Sequence, residues 1–331
     1  MLVAALTITS ALSACQPNRF VSGWVPWWSG SDGRAAIENA DSASLLTDVS
    51  LFWYGTHADG TIGIINNAAE LPTVVAALRA KGIPVVPTIA DGTGKGTMSG
   101  ILANPSARMQ HMQHIVDLVT ANGYDGIDID YEVFAFSHPK SEWPAITASW
   151  VSFVNELSVA LHTRGKLLSV TVPPVYVSGG VTRGYTVYAQ SQIAAAVDRL
   201  RLMVYDWSVG SPGPIAPLWY VNAVIAYSST QVPAPKLQLG VPTYGRHWAT
   251  QKNPTEVCPD GALWRDSIEM TETGPLAFAH GLTPVRDSSG ELTFTWTERV
   301  TGPKVTPVGP PGFVAPPTTV ATVDGPTGGG L

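Results

Sequence analysis

The octet Asp125-Gly126-Ile127-Asp128-Ile129-Asp130-Tyr131-Glu132 alternates acidic and apolar side chains with a period of two. A β-strand sends successive side chains to opposite faces, so Asp128, Asp130 and Glu132 share one face and Ile127, Ile129 and Tyr131 the other. In a barrel of parallel strands the apolar set packs under the outer helices, which turns the three carboxylates inward. Buried charge requires pairing or protonation, and carboxylates this close share protons, raising at least one pKa. A carboxyl group poised near the working pH is what a general acid needs. Glu132 ends the strand at its C-terminal edge, where barrel enzymes keep their active sites. A structural acid cluster or a hard-cation site is the competing reading. Calcium sites, however, draw ligands mainly from loops, and period-two spacing into a barrel is foreign to them.

On either side of the octet, strand and helix signals alternate. Strands are predicted over 20–28, 49–54, 83–89, 124–132, 167–172, 201–205 and 237–244. Helices are predicted over 35–46, 71–80, 106–120, 143–162, 193–197 and 218–227. This βα repetition implies a parallel sheet with helices outside. No glycine-rich nucleotide loop follows the first strand, so the expected fold is an α/β class (β/α)8 TIM barrel. An eighth strand is not visible. The segment 247–300 reads as a small α+β insertion after strand seven, with a helix over 274–280 and a hairpin over 285–296 turning at Ser288-Ser289-Gly290.

The ends have a different character. Residues 2–14 are apolar or small and lead to Leu12-Ser13-Ala14-Cys15, too short to span a bilayer but the length of a signal-peptide core. The tetrad resembles a bacterial lipoprotein signal, with Cys15 lipidated, and a polar tether runs to residue 19; an ordinary cleaved signal is the alternative. Either way the protein is expected outside the cytoplasm, at the cell surface on a lipid anchor or secreted. Cys258 is the one other cysteine. From residue 302 the chain is rich in Pro, Gly, Thr and Val and reads as an unstructured tail through 331. A linker that leads nowhere, a missing strand and an unpaired Cys258 together suggest a truncated sequence. The domain reading is therefore 1–19 signal and tether, 20–301 barrel with insertion, and 302–331 tail.

Composition narrows the function. At 45% hydrophobic and 13% charged, the 331 residues can bury a large core. The net charge of −6, with no basic run, argues against a nucleic-acid partner. Eleven tryptophans offer faces that could stack on sugar rings, although most tryptophans in any protein are core.

The octet resembles the Asp-x-x-Asp-x-Asp-x-Glu strand of glycoside hydrolase family 18, the chitinase and endo-N-acetylglucosaminidase family. Met203-Val204-Tyr205-Asp206-Trp207 is similar to that family's sixth-strand Met-x-Tyr-Asp. Gly240-Val241-Pro242-Thr243-Tyr244-Gly245-Arg246 is similar to its seventh-strand motif, and Gly23-Trp24 with Trp27 and Trp28 to its first strand. The resemblance implies retaining, substrate-assisted hydrolysis of β-1,4 bonds in N-acetylglucosamine-containing glycans. It makes Glu132 the acid/base, Asp130 the partner of the 2-acetamido group, Asp128 the support of Asp130, and Tyr205 a donor to the acetamido oxygen. Asp206, Trp207, Tyr244, Arg246 and Trp28 become substrate-binding candidates. No cofactor and no metal are implied, and the chain is expected to work as a monomer.

Three departures give direction. Thr88-Ile89-Ala90-Asp91-Gly92 stands where the family has Ser-x-Gly-Gly, and Val133-Phe134-Ala135-Phe136 where many chitinases have Tyr-Pro. The eighth strand's floor tryptophan is also not evident. The first two lean toward the smaller members that cleave cell-wall glycans or short N-acetylglucosamine chains. Two other classes compete: a sugar-binding protein on the same barrel, which would typically lack the acid, and a metal-dependent deacetylase. The latter lacks a ligand set, since His111 and His114 lie on a helix with no acidic partner at ligand spacing.

Overall fold

The computed structural model describes residues 20–249, 265–300 and 323–330. Cys15, Cys258 and the signal segment 1–19 lie outside the described residues.

In chain order, β1 (Ser22–Pro26), α1 (Gly30–Glu38), α2 (Ala40–Leu45), β2 (Asp48–Thr56), β3 (Ile62–Ile64) and α3 (Leu71–Ala80) come first. Then follow β4 (Thr88–Ala90), α4 (Thr97–Ala103), α5 (Pro105–Ala121), β5 (Gly126–Asp130), α6 (Val133–Phe136) and α7 (Trp143–His162). β6 (Leu167–Val172), the hairpin β7 (Val175–Ser178) and β8 (Val181–Gly184), α8 (Gln190–Ile193), β9 (Arg199–Leu202), α9 (Leu218–Ser228) and β10 (Leu237–Leu239) complete the parallel part. The remainder is β11 (Tyr244–Ala249), β12 (Arg265–Glu269), α10 (Met270–Ala279), β13 (Val285–Arg286), β14 (Leu292–Val300) and β15 (Val323–Gly330).

Seven strands form one parallel sheet in the order β1-β2-β4-β5-β6-β9-β10, with β3 added antiparallel to β2. β2 and β5 are buried along nearly their whole length, as strands covered on both faces must be. The outward residues of β5 join the core, and Tyr131 stacks on Phe153 of α7 and lies against His111 of α5. α7 buries Trp143, Trp150, Phe153, Val154, Leu157 and Leu161, a helical stripe facing the sheet. The sheet curls. Arg201 of β9 reaches Ser22 of β1 at 2.8 Å and also bonds Ser50 of β2, while Arg199 pairs with Asp48. Side chains from the two ends of the strand order therefore meet in one interior. Among the described residues no strand hydrogen-bonds β10 to β1.

Element boundaries differ from expectation for local reasons. Pro84 and Pro87 lack the N–H a ladder needs, so the predicted strand 83–89 is regular only over β4, with single bonds from Val49 and Val86 before it. Asn39 adopts an extended conformation and caps α2 through Asp41 and Ser42 N–H groups, which divides the predicted helix 35–46. The hairpin β7–β8 was not expected. Its signal is Gly179-Gly180, both at positive φ, between β-branched residues.

After β10 the chain leaves the barrel at Pro242 and forms a five-stranded sheet, β12-β11-β15-β14-β13, against which α10 lies. The hairpin β13–β14 pairs Arg286 with Leu292, around the predicted turn. The expectation of an unstructured tail over 302–331 does not hold for 323–330. That segment lies between β11 and β14 and hydrogen-bonds to both. Two open antiparallel edges offer backbone partners to an extended segment.

Candidate active site

The inner face of β5 is an acidic wall on a polar floor. Asp128 is fully buried and accepts from Thr88 Oγ1 at 3.0 Å and from Thr171 Oγ1 at 2.9 Å. Arg201, 3% exposed, stands 3.3 Å from the same carboxylate and 3.7 Å from Asp48. Its Nε donates to Gln238 at 2.9 Å. Trp24 Nε1 donates to Thr88 at 3.2 Å, tying β1 into the layer. The isolated sequence had no signal for Arg201, because its role depends on five strands meeting around it.

One step up the strand the environment changes. Asp130 is buried, and its Oδ1 has no hydrogen-bond partner among the described residues. Burial, then the charges of Glu132, Asp128 and Asp91, push its carboxyl well above the usual range, against a smaller pull from Arg201. Glu132 follows where the backbone turns helical, at φ −86 and ψ −46, so its side chain sits at the C-terminal edge of the sheet. Burial, then the charges of Asp206 and Asp91, push Glu132 up to about 7. Neutral pH thus finds a proton available on this wall.

The sixth- and seventh-strand motifs converge on the same place. Tyr205 is buried; burial and the nearby Asp130 charge hold its phenol protonated well beyond the usual range. Gly240 lets β10 approach, since a Cβ there would come within 2.8 Å of both the Tyr205 ring and the Leu202 carbonyl oxygen. Asp206 sits at φ +55, a left-handed conformation rare for a non-glycine residue. It is held there by a fork from Arg246, at 3.0 Å from Nε and 2.7 Å from Nη2, and by the Tyr244 hydroxyl at 2.8 Å. Tyr244 and Arg246 therefore brace Asp206. Trp207 and Trp28 stand on the rim, 42% and 47% exposed. Trp207 packs edge-on against Trp219 at 4.8 Å, while Trp28 touches Trp27 and Phe52.

A curled parallel sheet, a buried Asp-x-Asp-x-Glu face at its C-terminal edge and the Tyr205-Asp206 corner together match one family. The family model for "Glycosyl hydrolases family 18" covers residues 22–302. The chain belongs to glycosyl hydrolases family 18. It is 31% identical to YdhD of Bacillus subtilis, named a sporulation-specific glycosylase, over 66% of this chain and 50% of that protein. It is 26% identical to the cortical fragment-lytic enzyme of Bacillus cereus, over 65% of this chain and 49% of that protein. The chain spans about half the length of these curated relatives. In fold it is similar to a chitinase from Chromobacterium violaceum, with TM-score 0.69 and 22% identity over 84% of this chain and 82% of that one. The Bacillus cereus spore cortex-lytic enzyme SleL gives TM-score 0.68 and 18% identity over 84% and 62%.

Within this family 18 chain, several groups beside the octet were not anticipated. Asp91, Tyr185 and Tyr188 line the wall around Glu132, and the Tyr188 hydroxyl donates to the Tyr131 carbonyl at 2.7 Å. Only the hairpin's tight return sets these tyrosines beside β5. The histidines of α5 are accounted for locally. His111 bonds Gly60 O at 2.7 Å and the Tyr131 hydroxyl at 2.6 Å, and His114 bonds Gly60 O at 3.0 Å. Among the described residues no group of three or more His, Cys, Asp or Glu is arranged to hold a metal ion.

Proposed function

We propose that this family 18 protein hydrolyses β-1,4 bonds of N-acetylglucosamine-containing glycans with retention of configuration. The observation that carries the reading is Glu132 at the mouth of the barrel, where burial and then the charges of Asp206 and Asp91 keep a proton on it up to about pH 7, beside the buried Asp130. Glu132 gives that proton to the glycosidic oxygen as the bond to the anomeric carbon breaks. The oxygen of the substrate's own 2-acetamido group attacks the anomeric carbon, so no enzyme nucleophile is needed. Asp130, whose Oδ1 lacks a partner among the described residues, accepts the acetamido N–H and offsets the positive charge of the cyclic intermediate. Tyr205 donates to the acetamido oxygen. Water then opens the intermediate, with Glu132 taking its proton back.

Asp128 supports Asp130 from below. Its acceptors already meet Thr88, Thr171 and Arg201, so it anchors the wall to the floor. Asp206, braced by Arg246 and Tyr244, contacts the same sugar, and Trp207 and Trp28 offer stacking faces on the rim. The substrate proposed is a cell-wall glycan or a short N-acetylglucosamine chain, because Asp91-Gly92 and Val133-Phe134 depart from the chitinase pattern. One relative is named a sporulation-specific glycosylase and another a cortical fragment-lytic enzyme, which agrees with that choice. Outside the described residues, Cys15 is proposed to carry a lipid that holds a monomeric enzyme at the cell surface.

The test is release of reducing ends from defined N-acetylglucosamine oligomers and from purified peptidoglycan strands. Wild type should release them and Glu132→Gln should lose about 10²-fold or more of the rate. Equal release by both proteins would refute the assignment of the acid. Proton NMR of the first-formed anomer reads the stereochemistry, and an inverted product would refute the acetamido route.

A further inference from the structure

The turn after β4 carries a fourth carboxylate. Asp91 is 7% exposed. Its Oδ1 accepts from the Thr93 N–H at 3.0 Å and the Thr93 hydroxyl at 2.7 Å, and its Oδ2 from the backbone N–H of Phe134 at 2.7 Å. Phe134 lies in the first turn of α6, where no preceding helical carbonyl can satisfy the N–H. Asp91 is thus an N-cap supplied from another strand. Its own N–H donates to the Asp130 carbonyl at 3.2 Å. A single residue therefore grips the chain two positions before Glu132 and two positions after it. Of the carbonyls between them, those of Glu132 and Val133 accept from N–H groups of the following turn, and that of Tyr131 accepts from the Tyr188 hydroxyl.

The Asp91 charge needs a reason. All the donors named for it are neutral, and among the described residues it has no ion pair. Burying a charge is expensive, and burial does push the Asp91 carboxyl up despite its hydrogen bonds. A serine or asparagine could cap the same turn at lower cost. A carboxylate adds two things those residues lack: a second acceptor oxygen, so that the Thr93 donors and the Phe134 N–H are both met, and repulsion of a second negative charge beside it.

We propose that Asp91 is a positioning residue for the acid/base, clamping the backbone on both sides of Glu132 and presenting a negative charge to it. This rests on the reading of Glu132 given above. The charge acts in company. Glu132 faces Asp130 from its own strand, Asp206 and Tyr205 from beyond β9, and Tyr185 and Tyr188 from the segment after β8; Arg201 and Asp128 act on Asp130 from below. Among these, Asp91 is the acid that also holds the backbone on both sides of Glu132, at Asp130 and Phe134.

Asp91→Asn and Thr93→Val separate the two roles. The probes are an N-acetylglucosamine tetramer for turnover and amide hydrogen exchange at Phe134. In Asp91→Asn, kcat should fall about tenfold or more with KM within about twofold of wild type. The alkaline limb of its pH profile should move to lower pH, and Phe134 should exchange faster. In Thr93→Val the carboxylate stays charged but loses a donor. Its kcat should fall less, with the alkaline limb in place. A folded Asp91→Asn with wild-type kcat, alkaline limb and Phe134 exchange would overturn the proposal. Should Asp91→Asn fail to fold, Thr93→Val decides, and wild-type kcat together with wild-type exchange would overturn it. Activity retained by Glu132→Gln would instead strike the acid/base reading, while the Phe134 exchange still reports on the clamp.

Discussion

Replacing Arg201 by methionine should cost more stability than any other single change inside the barrel. The guanidinium is 3% exposed, 3.3 Å from Asp128 and 3.7 Å from Asp48, and it also bonds Ser22, Ser50 and Gln238. At an effective dielectric of about 20, each ion contact is worth roughly 5 kcal/mol before desolvation is charged against it. Methionine keeps much of the volume but removes the cation, which leaves Asp128 buried with hydroxyl donors alone. Breaking a buried pair from one side costs about 3–5 kcal/mol, a large part of the roughly 5–15 kcal/mol that holds a domain together. The assay is equilibrium unfolding in urea at pH 7, comparing midpoints at unchanged slope. Arg201→Met combined with Asp128→Asn should recover part of the loss, because the unpaired charge is then gone. A loss below about 1 kcal/mol for the single variant, with no recovery in the double, would refute the charged floor as the element that closes the interior.

Two further outcomes follow from the site. Glu132 holds its proton to about pH 7 in the folded state against an ordinary 4.5, so the native form binds that proton more tightly than the unfolded chain. Its stabilising contribution is full below about pH 4.5 and is lost as pH rises through about 7; Glu132→Gln should therefore gain stability over wild type across that window, and parallel melting curves from pH 4.5 to 8 would contradict this. Gly240→Ala should push the Tyr205 ring or the Leu202 carbonyl aside, since the added Cβ meets both at 2.8 Å. A destabilisation of about 1–3 kcal/mol with a fall in kcat is expected, and a variant matching wild type in both would show that β10 can yield there.

The family 18 assignment explains why a chain with so few charged residues places several inside its barrel. An interior of hydroxyls and ion pairs fixes the geometry of β5, and the acids above it keep a proton that water would otherwise remove. The stability lost there is offset by the aromatic and aliphatic packing of Tyr131, Phe153, Trp150 and Phe134 between sheet and helices. Glu132 thus stands between an aromatic outer core and a charged inner one.

Much of this was legible in the amino-acid order. The period of two in 126–130 decides which side chains of β5 face inward, because strand geometry leaves no other choice, while Glu132 takes its place from the helical turn that follows. The βα alternation decides the parallel sheet, and the motifs at Tyr205-Asp206 and 240–246 already point to strand ends. What the tertiary structure alone decided was partnership across distance. Arg201 becomes the hub of the floor only when β1, β2, β5 and β10 curl around β9, and Asp91 reaches Phe134 only across neighbouring strands. The order of β15 also depends on edges supplied by β11 and β14, which its own glycine-rich composition does not announce. Local alternation is a property of a few consecutive residues, whereas a charge's partner and a strand's neighbours are set by segments far along the chain that only folding brings together.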